Sequence, residues 1–398
     1  MRGYLRADGR KGIRNVVLAA YTVECSHHVA REIALPFRDR DVHVIGFPGC
    51  FPNRYAHRMM TRLCTHPNVG GVLLVSLGCE GLDRADLAET IRASGRPVRT
   101  VAIQDVGGTR KSIDAGIACV EELLGQASAV ARVEMRVEEL VVGMICGGSD
   151  ATSGLTANPA IGQACDMLVE RGAAAIFEET GELIGCEQLL AERAVIPELG
   201  RELRAAVEKA AKYYAILGHG SFSPGNAEGG LTTLEEKSLG AYGKSGSAKI
   251  AGMLKPGDIP PTGGLYLLDI VPDGEVRFGF PNIADNAEIA ELIACGSHLI
   301  LFSTARGSVV GSAISPVIKI CANPQTYRRM PEDMDIDAAR ILEGRATLDE
   351  VGREVFERAL ATAGGEPTAS ERLGHQEFVL TYKWFEPTGP ACLPTARE

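Results

Sequence analysis

Apolar runs that alternate with helical stretches constrain the fold of this chain more than any other feature. Five such runs occupy residues 15–21, 41–47, 71–77, 96–103 and 139–145. Each run is short and rich in Val, Ile, Leu and Ala, which is typical of strands buried on both faces of a parallel sheet. Strands that alternate with helices in this way predict βαβ units.

A second unit of the same kind follows in the sequence. A helix opened by Asn-Pro and three further strands are predicted, at residues 158–171, 173–177, 264–271 and 298–303. Because single cores rarely grow past roughly 250–300 residues, a chain of 398 residues is expected to form more than one domain. We predict an α/β fold of two Rossmann-like units with mostly parallel sheets and Gly-rich strand-end loops. The units are residues 1–130 and 138–398, joined by a polar linker at 126–137.

Charge and hydropathy exclude two classes of partner. The formal net charge is −10, and no block of Lys and Arg stands out, so nucleic acid is not the expected ligand. No apolar run is long enough to span a membrane, and the residues after Met1 lack a signal-peptide pattern. These features predict a cytoplasmic protein.

Cysteine is abundant, and its positions are informative. The chain has 11 Cys, an odd number without short spacings, which argues against a disulfide framework. Four of them directly follow or end predicted strands: Cys25, Cys50, Cys79 and Cys146. Thiolates at one sheet edge suit an iron–sulfur cluster, zinc or copper(I). The alternative for each residue is an ordinary buried small side chain.

Three Gly-rich turns are predicted at the same edges, at residues 107–111 (GGTRK), 147–150 (GGSD) and 304–308 (TARGS). Glycine lets backbone N–H groups approach an anion, and Arg binds carboxylates through two parallel hydrogen bonds. The polar residues of these turns are therefore candidates for substrate binding: Thr109, Arg110, Ser149, Asp150, Arg306 and Ser308. The alternative is an ordinary turn between helix and strand.

Acid–base candidates cluster in and after a long Gly-rich loop at residues 217–231. Loops of this length inside a compact domain are usually functional, and this one contains His219 and Asn226. Glu236 and Lys237 follow it within the string TTLEEKSLG. A Lys near a cation or in a dry pocket has a lowered pKa and acts as a general base. The alternative is a solvated helix face.

Long motifs in a fixed order identify a family resemblance. They begin with GYLRADGRKGIRN at Gly3 and continue through TVEC, LGCE, GGTRK, CGGSD, TANPA, SPGN, GGLTTLEEKSLG and ARGSVVG to YRRMPEDMDI, which ends at Ile336. In these motifs the chain resembles the altronate/galactarate dehydratase family, which also includes sulfo-lyases. One stretch, FPNIADNAEIAELIACG at residues 280–296, departs from the pattern expected of sugar-acid dehydratases.

The resemblance implies a lyase that requires ferrous iron, either mononuclear or in a cluster. The expected reaction is β-elimination of water or sulfite from a small 2-hydroxy acid, with Lys237, Glu236 and His219 as catalytic candidates and Asn226 among the substrate ligands. Three Cys ligands would leave one iron of a cluster open for substrate. Single-chain members carry a small β-rich domain before the first motif, so a small β-rich partner subunit is expected, together with homo-oligomers. The alternative class is a non-catalytic metal- or anion-binding subunit.

Overall fold

Two parallel sheets, one of four strands and one of seven, organise the computed structural model, which describes residues 1–217, 224–273 and 284–380. The strands are β1 (Arg2–Leu5), β2 (Lys11–Gly12), β3 (Val16–Tyr21), β4 (Val42–Gly46), β5 (Val69–Ser76), β6 (Val98–Ala102), β7 (Arg132–Glu134), β8 (Val141–Cys146), β9 (Ala174–Phe177), β10 (Ile250–Leu254), β11 (Gly264–Leu268), β12 (Leu299–Thr304), β13 (Val317–Cys321) and β14 (Ile336–Asp337). The predicted α/β class with large parallel sheets is confirmed.

Helices connect the parallel strands. They are α1 (Glu24–Ala34), α2 (Arg54–Cys64), α3 (Arg84–Ala93), α4 (Ile103–Val106), α5 (Thr109–Ser128), α6 (Ala157–Glu170), α7 (Glu187–Glu192), α8 (Pro197–Leu217), α9 (Pro224–Glu228), α10 (Leu234–Gly243), α11 (Asp285–Ala294), α12 (Pro324–Arg329), α13 (Leu348–Gly364) and α14 (Ala369–Leu373). Among the residues described, none of these helices is long and apolar enough to cross a membrane.

The order of strands reverses once in each parallel sheet. The four-stranded sheet has the order β4-β3-β5-β6, so β3 lies between its successor β4 and the later strand β5. The seven-stranded sheet has the order β10-β11-β9-β8-β12-β13-β14, so β8 lies between β9 and β12. Open α/β sheets bind ligands beyond the carboxyl ends of the strands at such reversals. The topology thus defines two candidate edges.

A small antiparallel sheet ties the two units together. β1 pairs with β2 and with β7, and β7 lies inside the stretch predicted to be a linker. Arg14, just after β2, also forms a double ion pair with Glu371 of α14, with nitrogen–oxygen distances of 2.6 and 2.9 Å. The N-terminal strands therefore contact both the second unit and the end of the described chain.

Apolar packing also joins the two parallel sheets. One core contains Phe47 and Met59 from the first unit together with Leu292 and Phe302 from the second. Helix α2 packs on α11 there, and the Tyr55 hydroxyl donates to a carboxylate oxygen of α11 at 2.6 Å. The outer faces of the two sheets bury separate cores. The carboxyl edges of the sheets are thereby fixed in one packed body.

Candidate active site at the carboxyl edge of the seven-stranded sheet

A cluster of charged groups lies beyond the carboxyl ends of β8 and β9. Cys146 is the last residue of β8, and Glu179 follows β9 by two residues. Asp285 is the first residue of α11, the helix that precedes β12. These three elements meet where the strand order of the seven-stranded sheet reverses, so the cluster occupies the expected ligand-binding crevice.

The thiol of Cys146 is buried between two carboxylates. Its Sγ lies 3.2 Å from Glu179 Oε1 and 3.1 Å from Glu182 Oε2. The backbone N–H of Cys146 donates to the other oxygen of Glu179 at 3.0 Å. Burial raises the pKa of the thiol, and the charge of Glu182 raises it further. The charges of Lys237 and Lys244 oppose this rise, but the net pKa is raised, which favours a protonated thiol that donates to these carboxylates.

Lys237 is the buried ammonium of the cluster, with its side chain only 2% exposed. Its Nζ lies 2.5 Å from Glu182 Oε2, 3.0 Å from Ser149 Oγ and 3.3 Å from Cys146 Sγ. Burial lowers the pKa of Lys237, but Cys146 and Glu182 outweigh burial, and the net pKa is raised. The Lys237 side chain is therefore a charged ammonium held by three acceptors. A lysine in a purely apolar pocket would instead have a lowered pKa.

One helix supplies both ammonium groups of the cluster. Helix α10 begins at its N-cap Thr233, whose hydroxyl accepts from the backbone N–H of Glu236 at 3.1 Å. Lys237 lies in the first half of this helix, and Lys244 is its C-cap. Seven residues correspond to about two helical turns, so the two side chains project on the same side. Lys244 forms a buried ion pair with Glu179.

Glu179 adopts a backbone conformation that is rare for its residue type. Its φ is 84°, in the left-handed region, and among the described residues no other non-glycine residue has a positive φ. Such a conformation costs about 1–3 kcal/mol and persists only where surrounding contacts impose it. Here the contacts are those with Cys146 and Lys244. The strained backbone thus turns this carboxylate into the crevice.

Carboxylates outnumber ammonium groups in the cluster. Oxygen atoms of the buried Glu178, Glu179 and Glu288 lie within 4.8 Å of one another. Burial and then the charge of Glu182 raise the pKa of Asp285 to about 6. Lys237 and Lys244 of α10 pair with Glu182 and Glu179 of this group. Buried carboxylate oxygens grouped this closely are of the kind that can hold a cation.

The GGSD turn is anchored beside the cluster. The N–H of Ser149 donates to Asn226 Oδ1 at 2.9 Å, which links the turn to α9. Asp150 is buried, and its carboxylate accepts from the backbone of Thr152 at 2.7 Å and from the Asn323 side chain at 2.6 Å. The structure therefore brings Ser149, Asp150 and Asn226 together, with the last two holding loops in place.

The TARGS turn forms the rim of the same crevice. The backbone N–H of Arg306 donates to the carbonyl of Gly148 at 3.0 Å. Arg306 is exposed, and its aliphatic stem lies against Gly229. A Cβ atom built on Gly229 would be 3.3 Å from Cδ of Arg306. The Ser308 hydroxyl accepts from the N–H of Val310 at 3.1 Å and shapes the turn. Arg306 is thus placed to meet an anion entering the crevice.

The three remaining cysteines of the predicted metal site lie at the four-stranded sheet. Cys25, Cys50 and Cys79 are exposed beyond the ends of β3, β4 and β5. The N–H of Gly81 donates to the carbonyl of Cys50 at 2.8 Å, so the loops after β4 and β5 are in contact. In the described part of the chain, the compact groups of possible metal ligands include Cys146 but none of these three. A metal shared by all four thiols stays a prediction.

The remaining predicted residues lie apart from the cluster. Thr109 and Arg110 are exposed at the start of α5, next to the four-stranded sheet. Glu236 is exposed, and its carboxylate accepts from the N–H of Thr232 at 2.9 Å, a helix-capping contact. His219 lies outside the described residues. Their catalytic or binding roles stay predictions.

The residues of the cluster that escaped the sequence reasoning include Glu179, Glu182, Lys244 and Asp285. Glu179 and Glu182 directly follow the strand run at 173–177, so the strand-end argument applied to the cysteines applies to them as well. Lys244 follows Lys237 by seven residues, and this helical spacing could also have been recognised in the sequence. Asp285 had no such signal, because only the tertiary fold places the start of α11 at this edge.

Carboxylates and ammonium groups concentrated at a ligand-binding edge define an α/β enzyme. Residues 137–386 match the family described as D-galactarate/altronate dehydratase, C-terminal. Residues 3–128 match D-galactarate dehydratase/altronate hydrolase, second domain. The chain belongs to the D-galactarate/altronate dehydratase family, which confirms the resemblance read from the motifs.

Named relatives span most of the chain. It is 34% identical to (2R)-sulfolactate sulfo-lyase subunit beta of Chromohalobacter salexigens, over 95% of this chain and 96% of that protein. It is 30% identical to altronate dehydratase of Escherichia coli, over 95% of this chain and 76% of that protein. Galactarate dehydratase (L-threo-forming) of Escherichia coli is 34% identical, over 81% of this chain and 62% of that protein.

Proposed function

We propose that this protein is a lyase that eliminates a β-substituent, water or sulfite, from a small 2-hydroxy acid. The observation that carries the proposal is Lys237, a buried and charged ammonium at the strand-order reversal of the seven-stranded sheet. The relatives are named as a sulfo-lyase and two dehydratases, and sulfolactate, altronate and galactarate are all 2-hydroxy acids. Charge complementarity also supports the proposal, because Arg306 and Lys237 favour an anionic substrate.

β-Elimination requires a base that removes the proton from the carbon next to the carboxylate. It also requires a group that stabilises the negative charge that develops on the substrate as this proton is removed. Asp285 supplies the base, because a carboxyl group with a pKa of about 6 is ionised at neutral pH yet more basic than an ordinary Asp. Lys237 stabilises the enediolate-like charge with its ammonium. The electron pair of the broken C–H bond expels the β-substituent, and the resulting enol becomes a 2-keto acid.

We propose two alternative donor sets for ferrous iron. Cys146, Glu179 and Glu182 present sulfur and oxygen atoms within 4.8 Å of one another, compact enough to hold one ion. The three exposed strand-end thiols of the four-stranded sheet would instead suit a cluster with one open iron. When bound, iron would act as a Lewis acid toward the substrate hydroxyl or carboxylate. We propose iron as the cofactor, with its nuclearity to be decided by sulfide analysis.

A small partner chain belongs to the proposal. The sulfo-lyase relative is named as a subunit, and the altronate dehydratase relative extends beyond the 76% of its length that this chain covers. Phe51, beside Cys50, is 81% exposed, and Leu239 of α10 is 55% exposed. Apolar side chains of this size near candidate site residues are suited to burial by a partner.

The test is turnover under anaerobic conditions with ferrous iron, using sulfolactate, altronate and galactarate, with and without the candidate partner. Release of sulfite selects the sulfo-lyase, and release of a 2-keto-3-deoxy acid selects the dehydratase. Lys237→Met should abolish turnover at unchanged iron content, whereas Lys212→Met, an exposed change on α8, should not. Bound iron without turnover of any 2-hydroxy acid, with the partner present, would favour a non-catalytic subunit. Full activity from the chain alone would refute the partner.

A further inference from the structure

Asn158, in the TANPA motif at the start of α6, is a buried amide whose two ends hold different elements. The residue is 1% exposed. Its Oδ1 accepts a hydrogen bond from the Ser303 hydroxyl at 2.6 Å, and its Nδ2 donates to the backbone carbonyl of Gly240 at 2.9 Å. Because a carbonyl oxygen can only accept, the Gly240 contact fixes which end of the amide faces α10. Asn158 therefore links β12 to the helix that carries Lys237 and Lys244.

Both partners of this amide lie next to residues of the charged cluster. In the seven-stranded sheet, Ser303 is the register neighbour of Cys146. On α10, Gly240 lies three residues after the first ammonium-bearing residue and four before the second, about one helical turn from each. Asn158 thus spans the distance between the strand beside the cluster thiol and the middle of the helix that supplies both ammonium groups.

The Asn158 contact coincides with the end of α10. In a regular α-helix, the carbonyl of Gly240 would accept from the N–H four residues on, which is that of Lys244. In this chain the N–H of Lys244 donates to the carbonyl of Ala241 at 3.2 Å, while the Gly240 carbonyl accepts from Asn158. The helix ends there, and Lys244, its C-cap, forms the buried ion pair with Glu179.

Two glycines let α10 come close to the loop before α6. A Cβ atom built on Gly154 would lie 3.0 Å from Cα of Gly240, inside the favourable carbon–carbon separation of about 3.5–4.0 Å. The N–H of Asn158 donates to the carbonyl of Ser153 at 3.1 Å, which joins the loop and the amide in one unit. A side chain at position 154 would therefore push α10 away from Asn158.

We propose that Asn158 is a positioning residue, which sets the depth of α10 so that Lys237 and Lys244 meet the carboxylates of the cluster. The inference rests on the proposed role of Lys237 in stabilising the charge that develops during β-elimination. Asn158 acts through α10 and is assigned no contact with the substrate. Nζ of Lys237 lies within 3.3 Å of three acceptors, so a small displacement of the helix would break this set.

The first experiment measures the placement of α10 in metal-free protein without substrate, by reductive methylation of lysines and peptide mass spectrometry. Asn158→Ala should raise the labelling rates of Lys237 and Lys244 about tenfold, the change expected from loss of one buried hydrogen bond. Lys319 is the internal control, because it is also fully buried and its Nζ contacts lie outside α10. Its labelling rate should be unchanged.

The second experiment is steady-state kinetics of the iron-loaded protein with the accepted 2-hydroxy acid. Asn158→Ala should lower kcat about 100-fold, as misplacement of a catalytic group by about 1 Å does. KM should change less than about threefold, because Arg306 still meets the substrate. Gln163→Ala is the matched control, since this amide of the same helix donates to Asp349 of α13 at 2.7 Å. It should stay within about twofold of wild type in both experiments.

A second variant acts on the same contact and leaves the amide intact. If Asn158→Ala does not fold, Gly154→Ala is measured in its place, and the same direction of change is expected in both experiments. Wild-type labelling of the two α10 lysines would overturn the inference, as would an equal rise at Lys319 or a wild-type kcat. Failure of the proposed function is seen separately, as absence of turnover in the wild-type protein. The labelling still decides in that case whether Asn158 places α10.

Discussion

The ion pair between Lys237 and Glu182 offers the sharpest test of the site's geometry. Lys237→Met in the metal-free protein removes the ammonium, keeps much of the apolar stem, and leaves Glu182 against Cys146 without its closest cation. The two side chains are 2% and 16% exposed, and the charged atoms are 2.5 Å apart. Breaking such a buried pair costs about 3–5 kcal/mol. We expect about 3 kcal/mol, the lower end, because Glu182 retains some access to solvent.

A double-mutant cycle separates the pair from general packing. Glu182→Gln removes the facing charge, and the double variant Lys237→Met/Glu182→Gln removes both. The double variant should lose less stability than the sum of the single variants, with a coupling of about 1–3 kcal/mol. Urea unfolding with linear extrapolation measures each value. A loss below about 1 kcal/mol for Lys237→Met, or additive losses in the cycle, would refute the buried pair.

Three further predictions concern single side chains. The folded pKa of Asp285, about 6, exceeds its ordinary 3.8. Stability is therefore lost as pH rises from 3.8 through 6, so Asp285→Asn in metal-free protein should be more stable than wild type by up to about 3 kcal/mol at pH 8, with no such gain at pH 4. If the strand-end thiols bind iron, Cys25→Ala, Cys50→Ala and Cys79→Ala should each lower the iron content, whereas Cys119→Ala on α5 should not. Glu236→Gln should retain turnover and lose no more than about 1 kcal/mol, because its carboxylate caps a helix.

The central strands could be predicted from the sequence because burial dominates their composition. Every residue of β5 is buried, and its run of apolar residues marks a strand covered on both faces. β13 was not predicted, because Lys319 interrupts its apolar run, although the structure buries that side chain. β7 was read as linker, since a strand of three residues is defined by its pairing with β1 and carries no periodicity of its own.

Helix breaks were harder to place than strands. The structure divides residues 180–217 into a 3-10 helix at Thr180–Leu183, α7 and α8, and none of these three elements is placed in the sequence analysis. Pro197 begins α8, in agreement with the preference of proline for the first helical turn. This break matters for the candidate site, because the 3-10 helix carries Glu182, whose carboxylate contacts Cys146 and Lys237.

The candidate site could be predicted in part. Cys146, Ser149 and Lys237 were singled out by position and residue type, and the structure brings them together. Their carboxylate partners were not, because Lys237 and Glu182 are 55 residues apart and Cys146 and Glu179 are 33 apart. Such contacts follow from strand order, and a single sequence does not reveal that β9 and β12 both flank β8.

The most direct test of the central claim is NMR analysis of the product formed in D2O by the iron-loaded protein from its accepted 2-hydroxy acid. β-Elimination through an enol predicts a 2-keto acid that has lost its β-substituent and carries one solvent deuteron at C3. Lys237→Met should yield none of this product. A 2-keto acid that retains the β-substituent, or the absence of any 2-keto acid from iron-loaded protein with its partner, would contradict the account.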